Sequence, residues 1–402
     1  MSAHHRIAVV GGGTAGAASA LFLARAGHRV TLFERVPEPT AVGAGILLQP
    51  IGMHVLKRLG LFDEILAHGA RIDQLYGTIP GDKTVMDVRY LHYAPDAFGL
   101  GLHRGTLFSV LWNALRQTDV EIHCGVDVSR IEQAGETVTL RQGGTVLGSF
   151  DGLIIANGTH SHLRGQLDVP VMAKPYPWGA LWAVVPDNGM TEGVLRQWYC
   201  NAHQMLGVMP TGRAWGQSRR LLSIFWSLHR DAVPGWREQG LEAWKKTVLQ
   251  LAPIGPLLEQ ITSPEQLAYA NYADIIMPRW HDRRAVCLGD AAHATSPQLG
   301  QGANLALVDA WVLSQCLAEN SDLPQALAQY SRKRKAHLRY YQTASRWLTP
   351  LFQSHARFGS GLRDLGLGLA CRLPVVRCQM GATLSGTKTG WLFGRLPLGE
   401  SD

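Results

Sequence analysis

Arg6-Ile7-Ala8-Val9-Val10, with Gly11, Gly13 and Gly16 following in GxGxxG spacing, narrows the folds open to this chain more than any other stretch. The apolar run reads as a buried strand. Ala15, Ala18, Leu21, Phe22 and Ala24 then recur at helical spacing, and Gly27 marks the end of that helix. Val30-Thr31-Leu32-Phe33 reads as the next strand, closed by Glu34. Strand, glycine turn, helix, strand and acid together give GxGxxG its dinucleotide-binding meaning. Gly11 permits the tight turn, Gly13 lets a pyrophosphate approach the backbone, and Gly16 lets helix pack on strand. Glu34 is placed to accept hydrogen bonds from a ribose.

A second element lies far downstream. Arg284-Ala285-Val286-Cys287-Leu288 reads as a strand, and Asn304 to Leu313 as a helix with apolar positions at helical spacing. Between them stand Asp290, Pro297, Gly300 and Gly302. Such a loop lets N–H groups at a helix N-terminus approach a ligand, and Asp290 can accept from ligand hydroxyls. One extended ligand unites the two elements. Its adenosine end belongs at Gly11–Glu34 and its polyol end at Asp290–Gly302, which selects FAD over NAD.

The pairing of Gly11-x-Gly13-x-x-Gly16 with Gly289-Asp290 and Gly300-Gln301-Gly302-x-Asn304 resembles the class A flavoprotein monooxygenases, the p-hydroxybenzoate hydroxylase-like family. The resemblance runs from Ile7 to about Tyr330. It includes Gly43-Ala44-Gly45-Ile46, His103-Arg104-x-x-Leu107, and Asp151-x5-Asn157-Gly158 ending in Arg164. It implies an α/β fold: a Rossmann-like FAD-binding domain, an inserted antiparallel-sheet substrate domain and a helical C-terminal segment. The expected boundaries are 1–75, 100–170 and 275–330 for the first, 76–99 and 171–274 for the second, and 331–402 for the third.

The resemblance also implies roles. Glu34 binds the adenosine ribose, with Arg35 beside it. Arg104 contacts the pyrophosphate region, and Asp290 holds the ribityl chain. Gly300 to Gly302 present N–H groups to the flavin. Gly11, Gly13, Ala15, Gly16, Gly45, Pro297, Ala303 and Asn304 complete the cofactor set. NAD(P)H is the implied co-substrate and O2 the oxidant. The implied reaction is hydroxylation of an apolar aromatic small molecule through a flavin C4a-hydroperoxide. For a base that deprotonates a phenolic substrate, His54, His203 and His293 are open, with His293 the nominal choice and Pro297 the other catalytic position. The family usually has Asp where this chain has Asn157, which removes a charge but keeps an acceptor.

Two other readings stay open. One is another flavoenzyme on the same fold, a dehydrogenase or a halogenase; Trp182-Ala183-Val184-Val185-Pro186 distantly resembles a halogenase motif. The other is a flavin-binding protein with an interaction role, motivated only by Asn157.

Composition sets the remaining bounds. Hydrophobic residues make up 46% of the chain and charged residues 17%, as in a soluble globular protein. The six scattered cysteines form no CxxC, and the 16 histidines no HExxH. A cytoplasmic protein without disulfides or a metal is expected. No run of 18 apolar residues marks a membrane span. Seven of the 12 tryptophans fall between Pro170 and Asp274, where Ala180–Val185, Val194–Tyr199, Met205–Met209 and Leu221–Trp226 read as strands of one antiparallel sheet. From Ser331 onward there are 12 Lys and Arg against 3 Asp and Glu, so the net charge of +7 belongs to the tail. No nucleic-acid fold accompanies it. Two readings of the tail stand: a helical cap on both upstream domains, or a weak contact with a membrane surface. Oligomeric state is not fixed by the sequence.

Overall fold

The computed structural model describes residues 4–41, 43–353 and 373–396. Part of the tail discussed above, 354–372 and 397–402, lies outside the described residues.

Five parallel strands carry the glycine turn, in the order Glu121–Cys124, Arg29–Glu34, Arg6–Val10, Gly152–Ile155, Ala285–Cys287. His281–Asp282 adds an antiparallel edge. The run Ile7–Val10 is buried on both faces, as a central parallel strand requires. The second strand lies on one side of Arg6–Val10 and the much later Gly152–Ile155 on the other. The strand order therefore reverses at Arg6–Val10, where a crevice opens beyond the carboxyl ends of the strands.

Helices Thr14–Arg25 and Gly302–Glu319 pack along each other over this sheet. Small residues let them meet. A Cβ at Gly289 would sit 3.0 Å from the Ala15 Cβ and 3.4 Å from the Ala306 Cβ. The two glycine-rich signatures, remote in sequence, are thus in van der Waals contact.

A seven-stranded sheet lies beyond. It includes Trp178–Pro186, Val194–Cys200, Gln204–Arg213 and Arg220–His229, and is extended by Gln74–Ile79 and Lys83–Arg89. One pairing departs from the antiparallel expectation: Val194–Cys200 runs parallel to Gln74–Ile79. The chain passes through the FAD-binding sheet between them, and a connection of that length permits a parallel pair. Leu181, Ala183, Leu206, Val208, Ile224 and Trp226 pack one sheet face against the helical stretch Val233–Leu251, which kinks at Gly240. Tyr199, Met205, Met209 and Phe225 point the other way, toward Leu47 of strand Gly45–Leu48.

The tail helix spans Leu323–Phe352, starting earlier than the basic stretch suggests because Pro324 suits the first helical turn. It packs on helix Gly302–Glu319, while Phe352 and Leu384 of the following helix, Pro374–Leu384, join the sheet-side cluster. Arg346 pairs with Asp274 at 2.6 Å, and the Gln342 Nε2 group donates to the Ile275 carbonyl. The described tail is therefore a brace against both upstream regions.

Candidate active site

Two of the glycines that build the crevice, Gly11 and Gly16, leave no room for a side chain. At Gly11, φ is +105° and a Cβ would lie 2.5 Å from the Ala156 carbonyl oxygen. A Cβ at Gly16 would lie 1.8 Å from the Gly11 carbonyl oxygen. Gly13 faces open space, as a surface that meets a ligand must. Helix Thr14–Arg25 has no side-chain cap and no acid in its first turn. Its N-terminal N–H groups and dipole are left for an anion.

Glu34 is half-buried beside this turn. Its carboxylate accepts from the Gly12 N–H at 2.7 Å and the Val36 N–H at 2.9 Å. These bonds fix the carboxylate at the end of the second strand, where a ribose would meet it. Arg35 is exposed next to it. Arg104 opens helix Arg104–Arg116, is exposed, and lays its stem against Gly43; its N–H donates to the Ala44 carbonyl. Gly45 has a different neighbourhood. Its Cβ position is filled by Ser223 Oγ at 2.5 Å and by the side chains of Met209 and Thr211. The missing side chain there admits the second sheet.

Asp290 is exposed at the end of strand Ala285–Cys287. One carboxylate oxygen is 3.9 Å from the Gly302 Cβ position, and the other accepts from Thr159 Oγ1 at 3.5 Å. Thr159 follows Asn157-Gly158, which sits against Gly11. Arg164 ties this loop to the next by donating to the Thr159 carbonyl at 2.6 Å and the Ala291 carbonyl at 3.4 Å. Gly302 heads a second uncapped helix, Gly302–Glu319. Gly300 is left-handed at φ +61°, and Pro297 is exposed in the short turn before it. Asn304 is fully buried. It donates to the Leu47 and Gly300 carbonyls and accepts from the Gln49 N–H, stapling the loop to strand Gly45–Leu48. Ala303 is half-buried beside it.

Two buried polar atoms around the crevice, Asn157 Oδ1 beside Gly11 and Gln49 Nε2 beside Gly300, have no hydrogen-bond partner among the described residues. Buried orphans of this kind cost about 1–3 kcal/mol each. With the open Gly13, two uncapped helix heads and Asp290, they fit an extended, polyhydroxylated, diphosphate-bearing group.

The histidines divide. His54 accepts from Arg58 Nε and packs edge-on against Trp311. His203 lies in a strand-to-strand turn beside Trp178. His293 is 2% exposed, and its Nε2 meets Asp309 Oδ2 at 2.5 Å. A base must reach its substrate; His293 is turned into the core instead.

Asp309 was not singled out by the sequence reading, yet it is the hub beneath the loop. It also accepts from the Gly289 N–H at 2.8 Å and from Arg334 Nε at 2.7 Å, both partners buried. Burial alone would raise its pKa, but His293, Arg334 and the Gly289 N–H hold the carboxyl well below the usual range. Arg334 also donates to His337 Nδ1, so the ring's Nε2–H donates to the Gly386 carbonyl at 2.6 Å. Burial and the Arg334 charge push the His337 pKa well down, so the ring is neutral. A signal for this network was present: Asp309 is the one acid in the apolar run from Leu305 to Leu313.

Comparisons with known proteins agree with this geometry. A family model described as FAD binding domain matches residues 4–344. The chain is 28% identical over 370 residues to 6-hydroxynicotinate 3-monooxygenase of Pseudomonas fluorescens, covering 84% of this chain and 89% of that protein. It is 30% identical over 342 residues to aurachin C monooxygenase/isomerase of Stigmatella aurantiaca, covering 82% and 84%. In fold it is similar to Klebsiella pneumoniae HpxO complexed with FAD and uric acid, with a TM-score of 0.82 and 20% identity over 95% of this chain and 98% of that one. A match over most of its length, onto a crevice shaped for FAD, makes this chain a member of the FAD-binding-domain family and an FAD-dependent aromatic monooxygenase.

Proposed function

We propose that this enzyme uses NAD(P)H and O2 to hydroxylate an uncharged, apolar aromatic molecule. The observation that carries the reading is the sheet face turned toward Leu47 and the Gly300 loop. Its side chains include Trp182, Leu195, Tyr199, Met205, Met209 and Phe225. Across strands Trp178–Pro186, Val194–Cys200, Gln204–Arg213 and Arg220–His229, no position on that face up to Thr211 and Ser223 is Asp, Glu, Lys or Arg. A carboxylate buried there would lack a partner from the sheet, at a cost of several kcal/mol. The polar groups on offer are neutral. Tyr272 Oη accepts from Trp182 Nε1 at 3.0 Å, and burial raises the phenol's pKa, so it stays protonated and can donate to a ring oxygen.

FAD, when bound, takes hydride from the nicotinamide and activates O2. The chain's own residues hold and shield. Asp290 and the Gly302 helix head grip the polyol and flavin end, the dipole favouring negative charge there by about 0.3–1 kcal/mol. The apolar sheet face excludes water, which protects a reactive intermediate.

The expected outcome is that neutral alkylated quinolones or phenols stimulate NAD(P)H oxidation with a product heavier by one oxygen, whereas hydroxybenzoates do not. Product formation from hydroxybenzoates alone would sink the proposal.

Several relatives are named for carboxylate substrates and others for quinolones, among them 3-hydroxybenzoate 6-hydroxylase 1 of Aquipseudomonas alcaligenes and a putative 2-heptyl-3-hydroxy-4(1H)-quinolone synthase of Rhodococcus erythropolis. The charge-free face favours the second kind here.

Asn157 tests the electron donor. Its Oδ1 is buried beside the Gly11 turn without a partner among the described residues. Reduction of bound FAD by NADH or NADPH is expected in rapid mixing, with Asn157→Asp changing the rate by less than an order of magnitude. Negligible reduction with substrate present would point to a dehydrogenase with another donor.

A further inference from the structure

We infer that the tail presents a lipid-docking surface for anionic membranes: an apolar tip at Trp391-Leu392-Phe393 beside a basic stripe on the helix Leu323–Phe352. The tip is a tight turn. Lys388 and Arg395 bridge at its base, the Thr389 N–H donates to the Gly394 carbonyl at 3.0 Å, and Leu396 N–H donates to Thr387 at 2.7 Å. Lys388 is 3% exposed, and its ammonium donates to the Trp391 carbonyl at 2.7 Å, so the turn is braced from within. Its apolar side chains are nevertheless thrust outward: Trp391 is 49% exposed, Leu392 71% and Phe393 87%. Trp391 stacks at 4.8 Å on Trp347, itself 66% exposed.

Charge says what meets this tip. Trp347 lies at the end of an exposed stripe of Arg332, Lys335 and Arg339, spaced three, four and eight residues apart on one side of the helix. These three form no ion pair among the described residues. Neither Leu323–Phe352 nor the stretch 373–396 contains an Asp or Glu. Aromatic side chains favour the headgroup level of a bilayer, and cations beside them favour anionic lipid. No helix among the described residues is long and apolar enough to cross a membrane, so docking is at the surface. An apolar substrate could then pass from lipid to the site, but the inference does not rest on substrate identity.

The test uses the full-length, FAD-loaded enzyme with vesicles of phosphatidylcholine, with and without about one-third phosphatidylglycerol. Wild type is expected to sediment with the anionic vesicles and to be released by salt. Arg332→Gln, Lys335→Gln and Arg339→Gln should each weaken partitioning about five-fold. Leu392→Ser with Phe393→Ser should weaken it further, with bound flavin and vesicle-free turnover unchanged. Acyl-chain bromination should quench wild-type tryptophan emission, and Trp347→Phe with Trp391→Phe should remove most of that quenching. Wild type remaining in the supernatant at low salt overturns the inference, as does partitioning that neither variant set alters. A dimer in light scattering that the tip variant dissolves, without vesicle binding, assigns the tip to a second copy and also overturns it.

Discussion

Asp290→Ala is expected to lower FAD affinity by one to two orders of magnitude while leaving the fold intact. Asp290 is exposed to the crevice, beside Gly302 and in reach of Thr159, so its carboxylate is free to take ligand hydroxyls. Hydrogen bonds to a charged acceptor contribute about 1.5–3 kcal/mol each, and one such loss sets the expected range. Little of the core depends on this side chain. The apoprotein's melting temperature should therefore stay near that of the wild-type apoprotein. Isothermal titration of apoprotein with FAD reads the change directly. Unchanged affinity and flavin content would remove Asp290 from the cofactor site.

Arg334→Met is expected to destabilise the protein by about 3–5 kcal/mol, the usual cost of stranding one partner of a buried ion pair. Arg334 and Asp309 are both fully buried and bonded at 2.7 Å. Methionine preserves much of the volume but leaves the Asp309 carboxylate with less compensation. Urea unfolding of the FAD-loaded variant checks this, and a loss below about 1 kcal/mol, within ordinary mutational effects, would contradict it.

The same network sets an acid profile. His337 is held below its unfolded pKa of about 6.5, so protons favour the unfolded chain, and stability falls as pH drops below that value. Asp309 is held below its unfolded value of about 4, so its contribution is present above that pH and lost further into acid. His28, His92, His103 and His281 are also held down by burial and share this first stage of the decline in melting temperature, so His337→Gln should make it shallower without abolishing it and should keep the second.

The glycine turn was legible because its constraints are local. Gly11 and Gly16 are required by atoms a few residues away or on the adjoining strand, and spacing records that. The pairing of the two signatures was legible for a chemical reason: each is shaped for one end of the same ligand. What was hidden depends on facing. Gly45 reads as another ligand-side glycine, yet its role is to admit Ser223 and Thr211 from the second sheet. His293 reads as a base beside the flavin loop, and nothing local reveals that it points to Asp309. Arg334 lies in a run of cations that reads as a solvated face, although it is wholly buried. The strands Arg130–Ala134, Thr137–Gln142 and Thr145–Phe150 form a small separate sheet. Their polar residues obscured it.

The bond between His337 and Gly386, with Gln301 donating to the Leu384 carbonyl and Ile51 to that of Ser385, bears on how the enzyme is made. Strand Arg6–Val10 leaves the ribosome well before one of its sheet neighbours, Gly152–Ile155, and before the sheet's far side, Ala285–Cys287. The contacts that hold the side chains of Gln301 and His337 and the Ile51 N–H then wait for Thr383 to Gly386. Long-range pairings of this kind fold slowly and leave apolar edges uncovered in the interim. A chain that has not yet added Thr383 to Gly386 therefore carries its glycine turn without the contacts that hold His337, Gln301 and Ile51.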